Sequence, residues 1–174
     1  VDFDRFASSQ WLHSIDLKLH KQSTFMQTAK IDLVFVVTKK DFGVLEYSLP
    51  MAIKSISDYE IGDILLIVPS QDVRECNIRF SDKSNKVRII NEKTLISEHQ
   101  RKFLSSKFDG RYTWVLQQLL KVIAVSASEA DAVLVVDADT ILLRKRKWFN
   151  ESGQQLLQPS EEFNSDYYSF LAQF

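Results

Sequence analysis

Ala132-Val-Leu-Val-Val136 runs without a break into Asp137-Ala-Asp139. Five apolar residues with no polar alternation predict a strand buried on both faces, which is how strands of a parallel sheet read. Parallel strands require crossovers, usually helical, so the flanking segments are expected to alternate between strand and helix. The two aspartates then stand at a carboxyl strand end, where open α/β sheets bind their ligands.

Working outward, the preceding segment is predicted to be a helix from about Tyr112 to Ser128, entered through a tight turn at Gly110. Its text, Arg111-Tyr-Thr-Trp-Val-Leu-Gln-Gln-Leu-Leu-Lys-Val-Ile-Ala-Val125, is apolar round most of its circumference, as expected for a helix buried between layers. Trp114, Gln117, Gln118 and Lys121 interrupt it at spacings of three and four and so share one stripe. A buried amide without a partner costs about 1–3 kcal/mol, and a buried ammonium requires an anion. Either a bound phosphate or a carboxylate of the chain (Asp137, Asp139 or Glu129) would supply one.

Further upstream, Ile31-Asp-Leu-Val-Phe-Val-Val-Thr38, Asp63-Ile-Leu-Leu-Ile-Val68 and Lys86-Val-Arg-Ile-Ile90 read as three more strands. Between them fall a loop at Lys39-Lys-Asp-Phe-Gly43 and a helix through Leu45, Met51, Ile53 and Ile56. A polar helix is expected from Ser97 to Ser106. Residues 1–29 read as an amphipathic helical extension and residues 30–158 as the α/β domain. Residues 159–174, with Phe163, Tyr167, Tyr168, Phe170, Leu171 and Phe174, form an apolar tail.

Composition narrows the function. The chain has 174 residues, 45% of them hydrophobic and 26% charged, with a formal net charge of −1. That near-neutrality gives no overall field toward nucleic acid. Cys76 is the only cysteine, which excludes an internal disulfide and a thiolate cluster and fits a reducing, cytoplasmic setting. No apolar run approaches the roughly 20 residues of a membrane span, so any membrane association would be peripheral. The first residue is Val1 rather than Met, and the chain is expected to be processed or cut from something longer.

The chemistry concentrates on the aspartate pair. If the backbone stays extended, Asp137 and Asp139 face one side and Ala138 the other. Like charges so close need a proton or cation between them, and oxygen ligands suit Mg2+ or Mn2+. The bland alternative is a turn with a capping aspartate at a strand end. Glu92 also falls just past a strand end and is a candidate for a ribose contact, with capping through Asn91 or Thr94 as the alternative. Arg144-Lys-Arg-Lys147 reads as a solvated loop, and His13, His20 and His99 have no ligand spacing.

Taken together, Gly110 to Lys121 and Val133-Leu-Val-Val-Asp-Ala-Asp-Thr-Ile-Leu-Leu143 resemble the GT-A-fold glycosyltransferases. The closer likeness is to a bacterial family of nucleotide-sugar transferases whose helix reads Gly-aromatic-x-Gln-Gln-Leu-Leu-Lys before an Asp-x-Asp strand end. The likeness implies a Rossmann-like, mostly parallel sheet and transfer of a sugar from a nucleoside diphosphate, most often uridine diphosphate. It implies that Asp139 is the principal ligand of a divalent ion, Mn2+ or Mg2+, and that Asp137 shares the ion or touches the ribose. Thr38 and Asp41 would meet the base and ribose, and Lys121 and Gln118 the sugar-phosphate. The acceptor would be a saccharide or a lipid-linked one. Such enzymes carry their acceptor half after the Asp-x-Asp strand, so a partner chain, a homo-oligomer or a missing carboxyl-terminal segment is expected to complete the site.

Two other readings remain. Asp137-Ala-Asp-Thr-Ile-Leu142 also resembles the motif of haloacid-dehalogenase-like phosphatases, with Asp137 as nucleophile and Asp139 as acid/base. Their remaining motifs follow well after it, and only Leu143 to Phe174 follows here. The third reading is a non-catalytic binding or assembly domain.

Overall fold

The computed structural model describes residues 29–150 and 152–157. Most of the expected amino-terminal helix and all of the 159–174 tail lie outside them. Strand β1 (Lys30–Val36) is followed by a 3-10 turn and helix α1 (Phe42–Ser55). Strand β2 (Glu60–Val68), helix α2 (Val73–Phe80) and strand β3 (Val87–Asn91) come next. Helices α3 (Glu98–Lys107) and α4 (Tyr112–Ala127) then lead to β4 (Ala132–Val135).

The four strands form one sheet in the order β3-β2-β1-β4, and every pairing is parallel. This is the α/β architecture that the strand–helix alternation predicts. The uninterrupted apolar run of β1 is explained by its central place: six of its seven residues are buried. Its side chains alternate between two cores. Leu33 and Phe35 join Leu45 and Leu49 of α1 and Cys76 and Phe80 of α2 on one face. Val34 and Val36 meet Leu116, Leu120 and Ala124 of α4 on the other. The sheet therefore lies between two helical layers.

From β1 the chain proceeds outward to β2 and β3, then returns across the sheet to place β4 on the opposite side of β1. The order of strands reverses between β1 and β4. A crevice opens at such a reversal beyond the carboxyl ends, because the two crossovers leave in opposite directions.

Two expectations need correction, and one helix was not expected. Helix α4 is not enclosed: Leu116, Leu120 and Ala124 face the sheet, whereas Trp114, Val122 and Val125 are exposed. Its apolar circumference reflects composition, and α3 packs beside it. Helix α2 goes unpredicted because just Cys76 and Phe80, one turn apart, are buried in an otherwise polar segment, too few to show a period. Its N-cap residue Asp72 uses its carboxylate elsewhere, accepting a hydrogen bond from the Lys39 amide at 2.9 Å. Finally, the chain does not stay extended after β4. The Val136 amide continues the ladder to the Val34 carbonyl at 2.9 Å, and the Thr140 amide then bonds back to the Asp137 carbonyl at 2.9 Å.

Beyond that turn the chain runs alongside α1. The Arg146 amide donates to the Ser55 carbonyl, Lys145 pairs with Asp58, and the Trp148 amide reaches the Tyr59 hydroxyl at 2.9 Å. Leu142, Trp148 and Phe149 pack against the α1 core, so the basic run is the outer side of a docked segment.

Candidate functional site

The turn at Asp137 is anchored from within. Ala138, its second residue, is 8% exposed and belongs to the α1 core, while Asp137 and Asp139 are exposed. A methyl group is small enough to enter the core between Val136 and Leu142, and its burial holds both neighbouring carboxylates toward solvent. The extended geometry is replaced by a turn, but the division of the three side chains is the one expected.

Helix α4 brings the cation. Lys121 Nζ lies 2.6 Å from Asp137 Oδ1. The Lys121 side chain is 14% exposed and that of Asp137 is 56% exposed. One turn earlier, Gln117 donates from Nε2 to the Val36 carbonyl at 3.4 Å, which fastens the helix to the end of β1. The β1–β4 register pairs Val34 with Val135. The Val136 amide still bonds to the Val34 carbonyl, so Asp137 stands just past the last rung of that ladder. Gln117, Lys121 and Asp137 thus meet at the strand reversal. Gln118 is half-buried on the same helix, and Trp114 is 56% exposed. Seven residues separate Trp114 from Lys121, so it stands about 10.5 Å along the helix axis on nearly the same azimuth.

At the end of β1, Thr38 donates from both its amide and its hydroxyl to Asp41 Oδ2, each at 2.9 Å. The Asp41 amide returns a bond to the Thr38 carbonyl at 2.9 Å, so the two residues close the loop that starts α1. Lys39 of the same loop pairs with Glu75 of α2 at 2.7 Å, and this partner holds the Glu75 carboxyl below the usual carboxylate range. The loop is thereby fixed beside the crevice.

Glu92 is placed apart from this group, beyond β3 on the far side of β2. It pairs with Arg101 of α3 at 3.0 Å, both side chains being nearly buried at 14% and 11% exposure. Nearby, Asn91 caps the following turn by accepting from the Lys93 amide at 3.0 Å, and it accepts from the Ser70 hydroxyl at 2.9 Å. The capping role beside Glu92 is therefore real. Arg101 was not singled out, because nine residues of separation carry no sequence signal for the pair. Its Nε and second terminal nitrogen have no hydrogen-bond partner among the described residues.

What could hold a cation is limited. Among the described residues no group of three or more His, Cys, Asp or Glu side chains comes together. Asp137 and Asp139 offer oxygen donors toward solvent, which suits a hard divalent ion that keeps several waters and takes further oxygens from substrate phosphates. The same donors could not enclose an ion alone. Cys76 plays no part: it is buried, and desolvation, aided by the Asp72 charge, pushes its thiol up to about 12. No helix among the described residues is long and apolar enough to cross a membrane.

No curated protein and no solved structure matches the chain. The profile of a family of unknown function, DUF6492, matches residues 22–158 of the 174, a span that contains the whole sheet, α4 and the aspartate turn. The chain belongs to that family, DUF6492.

Proposed function

We propose that the β1/β4 crevice is the donor site of a metal-dependent glycosyltransferase, taking a nucleoside diphosphate sugar of the uridine type. The observation that carries this reading is the Lys121–Asp137 pair beside exposed Asp139 at the strand reversal. A cation and two carboxylates at one carboxyl strand end suit a ligand that is itself a diphosphate with its counter-ion. Asp137 and Asp139 would hold Mn2+ or Mg2+, whose chemistry there is stabilisation of charge on the leaving diphosphate.

The protein's own groups divide the remaining tasks. Lys121 binds a phosphate oxygen and adds to the field that favours departure of the diphosphate. Gln117 keeps α4 in register with β1, and Gln118 and Trp114 on the same helix border the sugar and its nucleotide. The Thr38–Asp41 loop would face the base and ribose, whereas Glu92, paired with Arg101 beyond β3, stands apart from the crevice. The acceptor, a saccharide or lipid-linked saccharide, would be held by another part of the protein or by a partner.

The reading is tested by thermal unfolding with uridine diphosphate, with and without Mn2+, on the native chain and on Asp139→Asn. Ligand at 100 times its dissociation constant stabilises the folded state by about 2.7 kcal/mol, a readily measured shift. The expected shift needs both nucleotide and metal and vanishes in Asp139→Asn. A cooperative melt that no nucleoside diphosphate moves would overturn the reading.

A second reading draws on the same ion pair. An ammonium against Asp137 also suits an aspartate that attacks phosphorus, with Asp139 as acid/base, as in the haloacid-dehalogenase-like phosphatases. Release of phosphate from p-nitrophenyl phosphate, lost in Asp137→Asn, would favour it over sugar transfer.

A further inference from the structure

Lys121 and a divalent ion have a claim on the same carboxylate. The ammonium already touches Asp137 Oδ1 at 2.6 Å, and Asp137 is one of two carboxylates available at the turn. With Lys121 in place the group bears a net single negative charge, two carboxylates less one ammonium. A divalent ion arriving there meets one occupied ligand and a neighbouring positive charge. Two like charges that share a carboxylate weaken one another's binding.

The surroundings of Lys121 limit its alternatives. Its side chain is 14% exposed, on a helix fastened to β1 by Gln117, so the ammonium is held at the turn. A cation held at that place pairs with the strongest anion within its reach. Asp137 is that anion in the chain alone. A diphosphate laid across the crevice would be a second one, with more charge and more acceptor oxygens.

We propose that Lys121 makes metal and diphosphate binding at this turn interdependent. It acts as the resident counter-ion of Asp137 and yields that carboxylate to the metal only when a diphosphate takes the ammonium. Lys121 is therefore antagonistic toward the metal by itself and cooperative once the nucleotide is present. By linkage the coupling is reciprocal: whatever factor the nucleotide contributes to metal affinity, the metal contributes to nucleotide affinity. The inference rests on the donor-site reading and adds to it a coupling that disfavours occupation by free metal.

Isothermal titration tests it with three probes, Mn2+ alone, uridine diphosphate alone and each in the presence of the other. In the native chain, saturating nucleotide should raise Mn2+ affinity by about 10-fold or more, within the usual range of coupling between sites. Lys121→Met should bind Mn2+ alone about 10-fold more tightly than the native chain and the nucleotide more weakly, with the coupling reduced. Lys121→Arg, which keeps the charge, should preserve the antagonism. Lys121→Gln serves in place of the Met variant should that one fail to fold.

A merely structural lysine would move metal affinity the other way, because its loss would loosen the turn. Unchanged or weaker Mn2+ binding in a folded Lys121→Met or Lys121→Gln chain would therefore overturn the inference while leaving the donor site standing. Independent binding of the two ligands in the native chain would do the same. Failure of the native chain to bind either probe would remove the donor-site reading itself, and the inference with it.

Discussion

Two aspartates at opposite ends of the same sheet show how differently one residue type is used. Asp32, near the amino end of β1, is 6% exposed. Its Oδ1 accepts from the Asp63 amide and its Oδ2 from the Ser128 hydroxyl, both at 2.7 Å. The pairing of β1 with β2 slips at this point, from Ile31↔Ile61 to Leu33↔Ile64, so that Gly62 and Asp63 together oppose Asp32. The carboxylate supplies the acceptor that the irregular ladder leaves out. Asp137, past the carboxyl end of β4, is exposed and is held by one ammonium. One carboxylate is satisfied by neutral donors of the fold, and the other keeps capacity for something outside it. The first arrangement stabilises, and the second binds.

That contrast is most severely tested at Gly62. A Cβ there would come within 2.0 Å of Asp32 Oδ1, so Gly62→Ala forces the carboxylate away from the Asp63 amide. Overpacking and a lost buried hydrogen bond together predict a loss of about 3 kcal/mol or more in urea unfolding. A loss below about 1 kcal/mol would show that the clip can relax at little cost. Asp32→Ala strands two donors, the Asp63 amide and the Ser128 hydroxyl, and should cost roughly 2–3 kcal/mol by the same measurement. Neither substitution touches the crevice, so nucleotide and Mn2+ affinity should survive at temperatures where the variants stay folded.

At the other end the pattern reverses. Asp139→Asn and Asp137→Ala should stay within about 0.5–1 kcal/mol of the native stability, since exposed charges and pairs contribute little. They should nevertheless abolish the metal-dependent nucleotide shift. Large destabilisation by Asp137→Ala would place it in the same class as Asp32 and erase the distinction.

The smallest effect concerns Cys76. Because burial raises its thiol from the ordinary 9.0 to about 12, the folded chain retains a proton that the unfolded chain loses. The contribution is present below pH 9 and declines as the pH climbs through the window up to about 12. Thiol labelling at pH 8 should accordingly follow unfolding, and rapid labelling of the folded chain would contradict the burial of this helix face.

Much of the fold was legible along the chain because its signals are local. Continuous apolar strands and the turn at Gly110, whose φ is 73°, depend on neighbouring residues. The stripe on α4 and the aspartate pair were legible for the same reason. Helix α2 was not, since its two buried side chains gave too short a pattern. The Glu92–Arg101 pair was half legible, because Glu92 sits at a strand end while Arg101 arrives from another element.

The sequence by itself determined the four strands, the helices other than α2 and the candidates Asp137, Asp139 and Lys121, because periodicity and turn chemistry act within a few residues. Tertiary structure alone decided that β4 lies beside β1 rather than next to β3, and hence that α4 crosses over the end of β1. It also decided which acid each polar group meets: Lys121 chooses Asp137, and Asp32 chooses two neutral donors 31 and 96 residues away. Pairings of that kind are set by which chain segments the packed sheet brings within about 3 Å of one another, a distance that sequence separation does not encode.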